Sequence, residues 1–347
     1  MANSGGLSMK AASKPAILIL HTGGTFGMMP VAPTDTLAPS DIQEVLQRFL
    51  PELEKIADLS VEVVFNLDSA DLQIHHWQCL AEQIFHQLDR YDGFVIIHGT
   101  DAMVYTAAAL SFMLQNLPKP VVLTGSQRPI AEIRSDARSN LINAVELATH
   151  PIPEVGIFFG TSLFRGNRTI KYSTVEFNAF VSPNYPVLAS VGLDVKVSHS
   201  ALLPQPAGPP RLCPAMSQAV QVVRYFPGMP AEPLLRWVDH PVEAVVIEAL
   251  GLGNVAVREN SLIPAVRALT EAGKVVAISS QCLHGGVDLS RYANGRALLE
   301  AGAVGVGDMT TETTIVKLMH LLGCHAGDPQ RIRQQLVTPL AGEISPA

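Results

Sequence analysis

Short, mostly apolar runs recur along the first half of the chain and alternate with segments of helical periodicity. The apolar runs are residues 16–20, 59–65, 93–97, 120–124 and 155–159. The segments with apolar residues at helical spacing are 74–88, 105–117 and 139–148. Runs of the first kind are typical of strands that are covered on both faces, as in parallel sheets. The alternation therefore predicts an α/β fold with a mostly parallel sheet.

The composition changes near the middle of the chain, where residues 203–214 are rich in proline. Proline removes backbone donors and favours extended chain, so we predict a linker over residues 204–215. Beyond it the alternation resumes, with strands at 244–249 and 275–279 and helices starting near Asn260, Gly295 and Thr311. The prediction is a larger N-terminal domain over residues 1–203 and a smaller C-terminal α/β domain over residues 216–347.

Two of the predicted strands run into turns that carry glycine and threonine. The strand at 16–20 continues into His-Thr-Gly-Gly-Thr, which ends at Thr25, and the strand at 93–97 continues into His-Gly-Thr-Asp, which contains Thr100. Ligands of open α/β sheets bind outside the carboxyl ends of the strands. Thr25 and Thr100 are therefore predicted to converge on one pocket, as a threonine hydrolase requires.

A threonine hydroxyl is a weak nucleophile and needs a base or proton relay beside it. Asp101 directly follows Thr100, and the segment 165–171 supplies Lys171 after another strand. A lysine in a partly buried site can lose its proton near neutral pH, because desolvation disfavours the charged form. We therefore predict a hydroxyl–amine–carboxylate relay of Thr100, Lys171 and Asp101, with backbone N–H groups near Thr25 available to an oxyanion. Asp68 and Ser69 add polar groups that could hold the charged ends of a ligand.

Each of these features also has an ordinary structural interpretation. The glycine-rich turn before Thr25 could be only a tight turn, Thr100 and Asp101 could cap a helix, and Lys171 could be solvated. Neither His21 nor His98 has a His-x-x-x-His partner or a carboxylate cluster, so we predict no metal site. Cys282 and His284 are too close together on one strand end to form a catalytic dyad. We interpret Cys282 as a core residue.

Composition narrows the class of protein. The chain has 347 residues, 48% of them hydrophobic and 16% charged, and a net charge of −7. An acidic chain without a basic run argues against a nucleic-acid partner. No apolar stretch approaches the roughly 20 residues of a membrane span, and the N-terminus lacks the pattern of a secretory signal. The four cysteines have no metal-type spacing. We expect a cytoplasmic protein with no membrane partner.

Longer motifs extend from the first turn to the C-terminal end. They are TGGTFGM at 22–28, YDGFVIIHGTDAM at 91–103, LSFMLQNL at 110–117, TGSQ at 124–127, LFRGNRTIK at 163–171, GLGN at 251–254, QC at 281–282, DMT at 308–310 and GEISP at 342–346. In these motifs the chain resembles the bacterial-type L-asparaginase family, specifically its cytosolic type I branch. The resemblance covers nearly the full length.

This resemblance implies a fold and an activity. The fold would be a larger N-terminal flavodoxin-like domain with a mostly parallel sheet, joined to a smaller C-terminal α/β domain. The activity would be hydrolysis of L-asparagine to L-aspartate and ammonia through a threonyl acyl-enzyme, with no metal or organic cofactor. Active sites would lie between neighbouring subunits of a homodimer that commonly pairs into a homotetramer.

The resemblance also implies roles for individual residues. Thr25 would be the nucleophile that forms a β-aspartyl ester, while Thr100, Asp101 and Lys171 would move protons and activate water in deacylation. The substrate-binding positions would be Asp68, Ser69, Ala70, Thr100, Asp101 and Ser126. Asp68, Ser69 and Asp101 would bind the α-amino and α-carboxylate groups of the substrate, and Ser126 would lie near its amide end.

The chain departs from the family pattern at several positions. Leu37 stands where members often have a tyrosine that orients the nucleophile. Ala70 and Ala102 each replace a residue with a hydroxyl group. These changes put the rate and the substrate contacts in question, but they leave the nucleophile and the relay in place.

The resemblance also bears on regulation. Some type I relatives bind a second asparagine through a threonine before the relay lysine and an arginine on a later strand, positions that correspond here to Ile170 and Glu248. An apolar side chain cannot hydrogen-bond the effector, and a carboxylate repels its carboxylate. Only Cys282 of that site would remain. We therefore expect no effector site of this kind and hyperbolic kinetics.

Two other functions remain open from the sequence. One is an amidase of different preference, acting on D-asparagine, glutamine, or a peptidyl or transfer-RNA-linked amide. Relatives that act on transfer RNA carry an extra N-terminal domain, which this chain is expected to lack. The other is a non-catalytic amino-acid sensor, which the changes at Leu37, Ala70 and Ala102 would permit.

Overall fold

The computed structural model describes residues 13–31, 36–39 and 41–346 of the chain. The strands of its first part are β1 Ala16–Gly23, β2 Met28–Val31, β3 Thr36–Pro39, β4 Asp58–Leu67, β5 Gly93–Ile97, β6 Leu114–Gln115, β7 Val121–Thr124, β8 Val155–Phe159, β9 Ser162–Arg165, β10 Ile170–Lys171, β11 Phe180–Val181, β12 Ala189–Val191 and β13 Val195–Val197. Its α-helices are α1 Ile42–Phe49, α2 Ile74–His86, α3 Met103–Met113 and α4 Ala137–Ala148. Leu37 lies in β3, but its side chain is outside the described part, so its predicted effect stays a prediction.

The second part of the chain contains a separate set of elements. Its strands are β14 Arg211–Leu212, β15 Val220–Arg224, β16 Ala244–Ala249, β17 Val275–Ser280 and β18 Val304–Gly305. Its helices are α5 Glu232–Leu235, α6 Ile263–Glu271, α7 Ala293–Glu300, α8 Thr311–Cys324 and α9 Pro329–Leu336.

The large sheet has the strand order β13-β12-β9-β8-β7-β5-β1-β4. The neighbours from β8 to β4 pair in parallel, whereas β9, β12 and β13 extend the sheet with antiparallel pairing. Numbered along the chain, the parallel strands have the flavodoxin-like order 2-1-3-4-5, which reverses between β1 and β5. The predicted fold class is confirmed, and the point of reversal is where ligands are expected.

The central strands of this sheet are buried on both faces. Leu18 and Leu20 of β1 pack with α2 and α3 on one face, while Ile17 and Ile19 pack with α1 and α4 on the other. All four side chains are completely buried. Each contributes about 1.5–3 kcal/mol relative to an exposed side chain. The prediction of strands covered on both faces is confirmed for β1, β5, β7 and β8, whereas the edge strand β4 is only partly buried, with Val63 55% exposed.

The smaller sheet is parallel throughout, in the order β15-β16-β17-β18. Alternate residues of β16 face opposite sides. Val245 and Ile247 pack with α6 and α7, whereas Ala244 and Val246 pack with α8 and α9. This is the smaller α/β domain that the sequence predicts.

The third helix is shorter than its periodicity predicts. We expected a helix over 105–117, but α3 ends at Met113. The next residues form β6, which pairs with β14 in the proline-rich region, and the Cys213 N–H donates to the Met113 carbonyl at 2.8 Å. A long-range pairing has replaced the last turn of helix. The linker limits and domain boundaries stay predictions.

Of the helices in the described ranges, none combines the length and the hydrophobicity that a bilayer span requires.

Candidate active site

The first threonine turn depends on two glycines in the left-handed region. Gly23 has φ 106° and Gly24 has φ 83°. A Cβ on Gly23 would collide with the Leu67 carbonyl, and a Cβ on Gly24 would lie 2.6 Å from the Gly99 Cα. Only glycine allows so close an approach in this conformation. The turn that leads to Thr25 therefore lies directly against the turn that leads to Thr100, at the point where the strand order reverses.

The 68–69 segment completes this edge of the sheet. A Cβ on Gly99 would lie 2.7 Å from the Ser69 Oγ, and that hydroxyl accepts a hydrogen bond from the Ala102 N–H at 3.3 Å. The Asp68 carboxylate accepts from the Ala70 N–H at 2.9 Å and caps a short turn. Ser69 is buried, whereas Asp68 and Ala70 are exposed. The structure places this segment beside the second threonine turn.

Lys171 connects the second turn to a distant part of the chain. Its Nζ donates to the Thr100 Oγ1 at 2.9 Å and also contacts the Asp101 carboxylate. The Lys171 side chain is 14% exposed and that of Asp101 is 70% exposed. An ammonium group has three donors, so one remains after these two contacts. Lys171 therefore joins the hydroxyl and the carboxylate that the sequence suggested, and the cluster keeps an open side toward solvent.

Gln127 is a further member of the site to which the sequence analysis gave no role. The Thr100 hydroxyl donates to the Gln127 Oε1 at 3.3 Å, and the Gln127 Nε2 donates to the Glu176 carbonyl at 3.2 Å. Thr100 thus accepts from Lys171 and donates to Gln127. The only sequence signal was the position of Gln127 in the matched TGSQ motif.

A buried carboxylate holds the Gln127 loop in place. Asp136 accepts the Gln127 N–H at 3.0 and 3.1 Å and the Arg128 N–H at 3.2 Å. Asn140 donates to Asp136 at 3.0 Å and to the Gly125 carbonyl at 2.9 Å. Burial raises the pKa of Asp136, and these hydrogen bonds oppose that shift. The loop that carries Ser126 and Gln127 is therefore tied to the start of α4.

The Ser126 hydroxyl is buried and has no hydrogen-bond partner among the residues that the structure describes. An unpaired buried hydroxyl costs about 1–3 kcal/mol, so its position beside Gln127 suits a group supplied by a ligand. The structure thus groups Ser126 with Thr100 through the Gln127 loop.

The two histidines that precede the turns are buried. The His98 Nδ1 donates to the Gly99 carbonyl at 2.6 Å, and its Nε2 accepts from the Thr106 hydroxyl at 2.9 Å, where the tautomer is assigned from these partners. Burial lowers the pKa of His98 and of His21 to about 4. Both ring nitrogens of His98 are occupied within the protein. In residues 13–31, 36–39 and 41–346, no group of three or more His, Cys, Asp or Glu side chains could hold a metal ion.

Cys282 is exposed, so its interpretation as a core residue is wrong. It lines a cavity of about 230 Å³ between the domains, together with Ile170, Glu248 and Glu312. Arg224, which also lines the cavity, donates to Glu248 at 3.4 Å. Burial, and then the charge of Glu248, raises the pKa of Glu312. Carboxylates therefore line the cavity that contains the positions predicted to exclude an effector.

These features define a class: a two-domain α/β enzyme with hydroxyl side chains at the switch point of a flavodoxin-like sheet. The chain belongs to the asparaginase family. Residues 16–203 match the family model described as "Asparaginase, N-terminal", and residues 219–336 match "Glutaminase/Asparaginase C-terminal domain".

Individual relatives agree with this assignment. L-asparaginase 1 of Escherichia coli (strain K12) is 39% identical over 337 residues, which cover 96% of this chain and 99% of the relative. The solved L-asparaginase of Thermococcus kodakarensis has a TM-score of 0.88 at 37% identity and covers 96% of this chain and 100% of that one. The solved L-asparaginase I of Vibrio cholerae has a TM-score of 0.87 at 35% identity and covers 96% of this chain and 100% of that one. The predicted family is confirmed, and with it the class of amidohydrolase enzymes.

Proposed function

We propose that the protein hydrolyses L-asparagine to L-aspartate and ammonia through an ester on Thr25. The observation that carries this proposal is the contact of Lys171 with Thr100 and Asp101, placed against the turn of Thr25 at the switch point of the sheet. Such a cluster offers a nucleophile, a proton carrier and a carboxylate within one pocket.

In the first half of the reaction, the Thr25 oxygen attacks the side-chain amide carbon of asparagine. The carbonyl oxygen becomes an oxyanion, for which the Thr25 backbone N–H is a suitable donor, since the Gly24 N–H already donates to the Leu67 carbonyl at 3.2 Å. The C–N bond then breaks, the hydroxyl proton of Thr25 reaches the leaving nitrogen, and ammonia departs. A β-aspartyl ester on Thr25 remains.

In the second half, water attacks that ester and regenerates Thr25. We assign the removal of the water proton to Thr100, Lys171 and Asp101. Thr100 can accept a proton only if its own hydroxyl proton passes on. The Lys171 ammonium therefore first gives a proton to solvent by way of the exposed Asp101 carboxylate, and the Thr100 hydroxyl then turns from Gln127 toward the resulting amine. The Asp101 carboxylate stabilises the ammonium that forms. As the ester C–O bond breaks, the ammonium returns this proton through Thr100 to the Thr25 oxygen, and the product acid loses its remaining proton to solvent.

Substrate binding follows from the charges around this cluster. Asp68 and Asp101 are suited to the α-ammonium group, and the buried hydroxyl of Ser69 to the α-carboxylate. The unpaired Ser126 hydroxyl is suited to the side-chain amide. Ala70 and Ala102 supply no hydroxyl, and Ala102 takes part through its backbone N–H bond to Ser69. These departures should weaken substrate binding rather than remove the reaction.

Ammonia release from L-asparagine by the purified protein tests the proposal directly. Mass spectrometry of the rapidly quenched enzyme should find the aspartyl adduct on Thr25, and the Thr25→Ala variant should show neither adduct nor ammonia. Absence of ammonia from asparagine, glutamine and other small amides would overturn the proposal.

Selectivity and the sensor alternative need separate measurements. Pockets separate substrates that differ by one methylene by only about 10–200-fold, so kcat/KM must be compared for L-asparagine, L-glutamine and D-asparagine. A sensor would bind asparagine with a single heat pulse in calorimetry, whereas an enzyme would produce continuing heat.

The remaining expectations belong to the same proposal. We place the protein in the cytoplasm as a homodimer or homotetramer, with domains over 1–203 and 216–347 joined by the linker 204–215. Size-exclusion chromatography with light scattering measures the number of subunits. Limited proteolysis followed by mass spectrometry checks whether cleavage concentrates in the linker.

A further inference from the structure

The last residues of the described chain are anchored in the smaller domain. Ile344 is buried and packs in the core under α8 and α9. The Glu343 carboxylate is fully buried, contacts the Lys317 ammonium, and accepts the N–H groups of Leu340 and Ala341 at 3.0 and 2.7 Å. The segment 340–346 is thus a fixed part of this domain.

The same segment also binds the larger domain. The Gly342 carbonyl accepts from the Arg168 Nε at 2.8 Å and from the Arg165 Nη1 at 3.2 Å, and the Ala341 carbonyl accepts from the Asn167 Nδ2 at 2.9 Å. Gly342 has φ 74°, and a Cβ there would lie 2.5 Å from the Arg165 Nη1. Glycine at 342 therefore allows the contact. All three donors lie on residues 165–168.

Arg168 forms a second link through a carboxylate and a hydroxyl. Its Nη1 donates to the Asp308 Oδ2 at 2.8 Å, and its Nη2 donates to the Ser345 Oγ at 3.2 Å. The Ser345 hydroxyl donates to the same Asp308 oxygen at 2.6 Å, and the Ser345 N–H donates to the other at 2.9 Å. Arg168 is 2% exposed, so its three nitrogens are held by protein groups on the far side of the domain boundary.

Lys171 lies only three residues beyond Arg168. Its own strand β10 is two residues long and pairs with the equally short β11. The backbone of Lys171 is therefore held by this short hairpin. The chain just before it is held by the contacts of residues 165–168. A displacement of about 1 Å in a catalytic group can cost about 10²-fold in rate.

We propose that Asp308, Gly342 and Ser345, acting through Arg168, form a C-terminal latch that positions Lys171 against Thr100 and Asp101. This inference rests on the proposed function of Lys171 in deacylation. Arg168, Asp308 and Ser345 are positioning residues, because they act on the site only through Lys171. The C-terminal segment thereby becomes part of the active-site architecture, although it does not contact the Thr100 cluster.

The test compares two serine–aspartate pairs of the same domain in the full-length protein. Ser345→Ala and Asp308→Asn remove groups that Arg168 binds. Arg168→Lys keeps the positive charge but removes the guanidinium group that donates to several partners at once. Ser290→Ala and Asp288→Asn are matched controls, since Ser290 also bonds an aspartate through its N–H at 3.0 Å and its hydroxyl at 2.6 Å, without contact to Arg168.

We expect the latch variants to lower kcat by about 10- to 100-fold, with KM falling in parallel, because the ester accumulates when deacylation slows. A rapid burst of one ammonia per active site should precede the slow steady state. The control variants should match wild type in kcat and show no burst. Ser345→Ala removes only one hydroxyl, so it keeps the test valid if the charged variants fail to fold.

Two results would overturn the latch. The first is a wild-type kcat in both Ser345→Ala and Arg168→Lys. The second is a lower kcat with unchanged KM and no burst, because that result indicates only a loss of folded enzyme. Hydrogen exchange of peptides covering 166–171 gives a readout that does not need activity. It should rise in the latch variants and not in the controls. Wild-type protein without ammonia release would reject the proposed function, whereas unchanged exchange in 166–171 would reject the latch alone.

Discussion

Two lysine–carboxylate pairs of this protein use the same chemical groups for different purposes. Lys317 and Glu343 are both fully buried, and the Lys317 ammonium donates to the carbonyls of Leu336 and Thr338, each at 2.8 Å. Lys171 is mostly buried, but its partner Asp101 is 70% exposed. Every donor of the first lysine is used within the fold, whereas the second keeps an open side.

The difference teaches how burial and partners separate structure from chemistry. Burial lowers the pKa of Lys317, and contact with Glu343 opposes that shift. A buried pair with all its hydrogen bonds made has no room for a substrate and no path for a proton. The Lys171 pair contacts a hydroxyl that can react and a carboxylate that solvent reaches, so a proton can enter and leave.

Removal of the Lys171 amine should give the largest effect on activity. We expect Lys171→Met to reduce kcat by about 10⁴-fold or more, because the deacylation relay loses its proton carrier. Thermal unfolding should change little. Lys274→Met is the control, since Lys274 bonds only the His240 carbonyl through its ammonium and lies outside the site. Retained activity in Lys171→Met would show that the relay is assigned wrongly.

The same replacement at the buried pair should act on stability instead. Lys317→Met leaves the Glu343 carboxylate buried without its partner, and we expect a loss of about 3–5 kcal/mol in the free energy of unfolding. Urea unfolding at neutral pH measures it. The double variant Lys317→Met with Glu343→Gln should recover part of the loss, because no charge then remains buried. An additive double variant would contradict this interpretation.

Acid should weaken the fold through the buried histidines. Burial lowers the pKa of His21, His98 and His320 from the ordinary 6.5 to about 4. Between these values the unfolded chain binds more protons than the folded one, so stability is full above pH 6.5 and falls as the pH drops toward 4. The loss is on the order of 3 kcal/mol per histidine once the pH is below 4. The free energy of unfolding, measured with urea at several pH values in this range, should depend less steeply on pH in His320→Gln than in wild type. An equal dependence on pH would contradict the prediction.

Replacement of Gln127 should have a smaller effect, and only on the activity that depends on Thr100 and Lys171. Gln127→Met removes the acceptor of the Thr100 hydroxyl, a neutral hydrogen bond worth about 0.5–1.5 kcal/mol. We expect kcat to fall by about 2- to 10-fold. Gln78→Met is a matched control, because Gln78 donates to the Pro214 carbonyl away from the site. If kcat of Gln127→Met equals that of the control variant, Gln127 does not contribute to the reaction.

The smallest expected effect is at the cavity beside Ile170. Its lining includes the carboxylates of Glu248 and Glu312, and the Arg224 of the same lining is already paired with Glu248. An amino-acid carboxylate would therefore meet like charges and no free cation among these residues. We expect the initial rate to depend hyperbolically on asparagine concentration. The curve of the Cys282→Ala variant should have the same hyperbolic shape. A sigmoidal curve that the Cys282 change abolishes would prove this expectation wrong.

The sequence by itself determined the elements and the family. The buried strands Gly93–Ile97, Val155–Phe159 and Ala244–Ala249 begin and end where the sequence predicts. Such runs are set by local hydrophobic pattern, which is written into consecutive residues. The motifs around Thr25 and Thr100 likewise lie within short segments, so their place at strand ends was predictable.

Only the tertiary structure decided how distant segments meet. It ended α3 at Met113, exposed Cys282, turned the Thr100 hydroxyl toward Gln127 and brought Ser345 to Arg168. It also made Lys317 structural and left Lys171 open. None of this is encoded in local periodicity, because burial and hydrogen-bond partners depend on residues far apart in the chain. The chemical role of a lysine therefore follows from the packing around it, which the sequence does not show residue by residue.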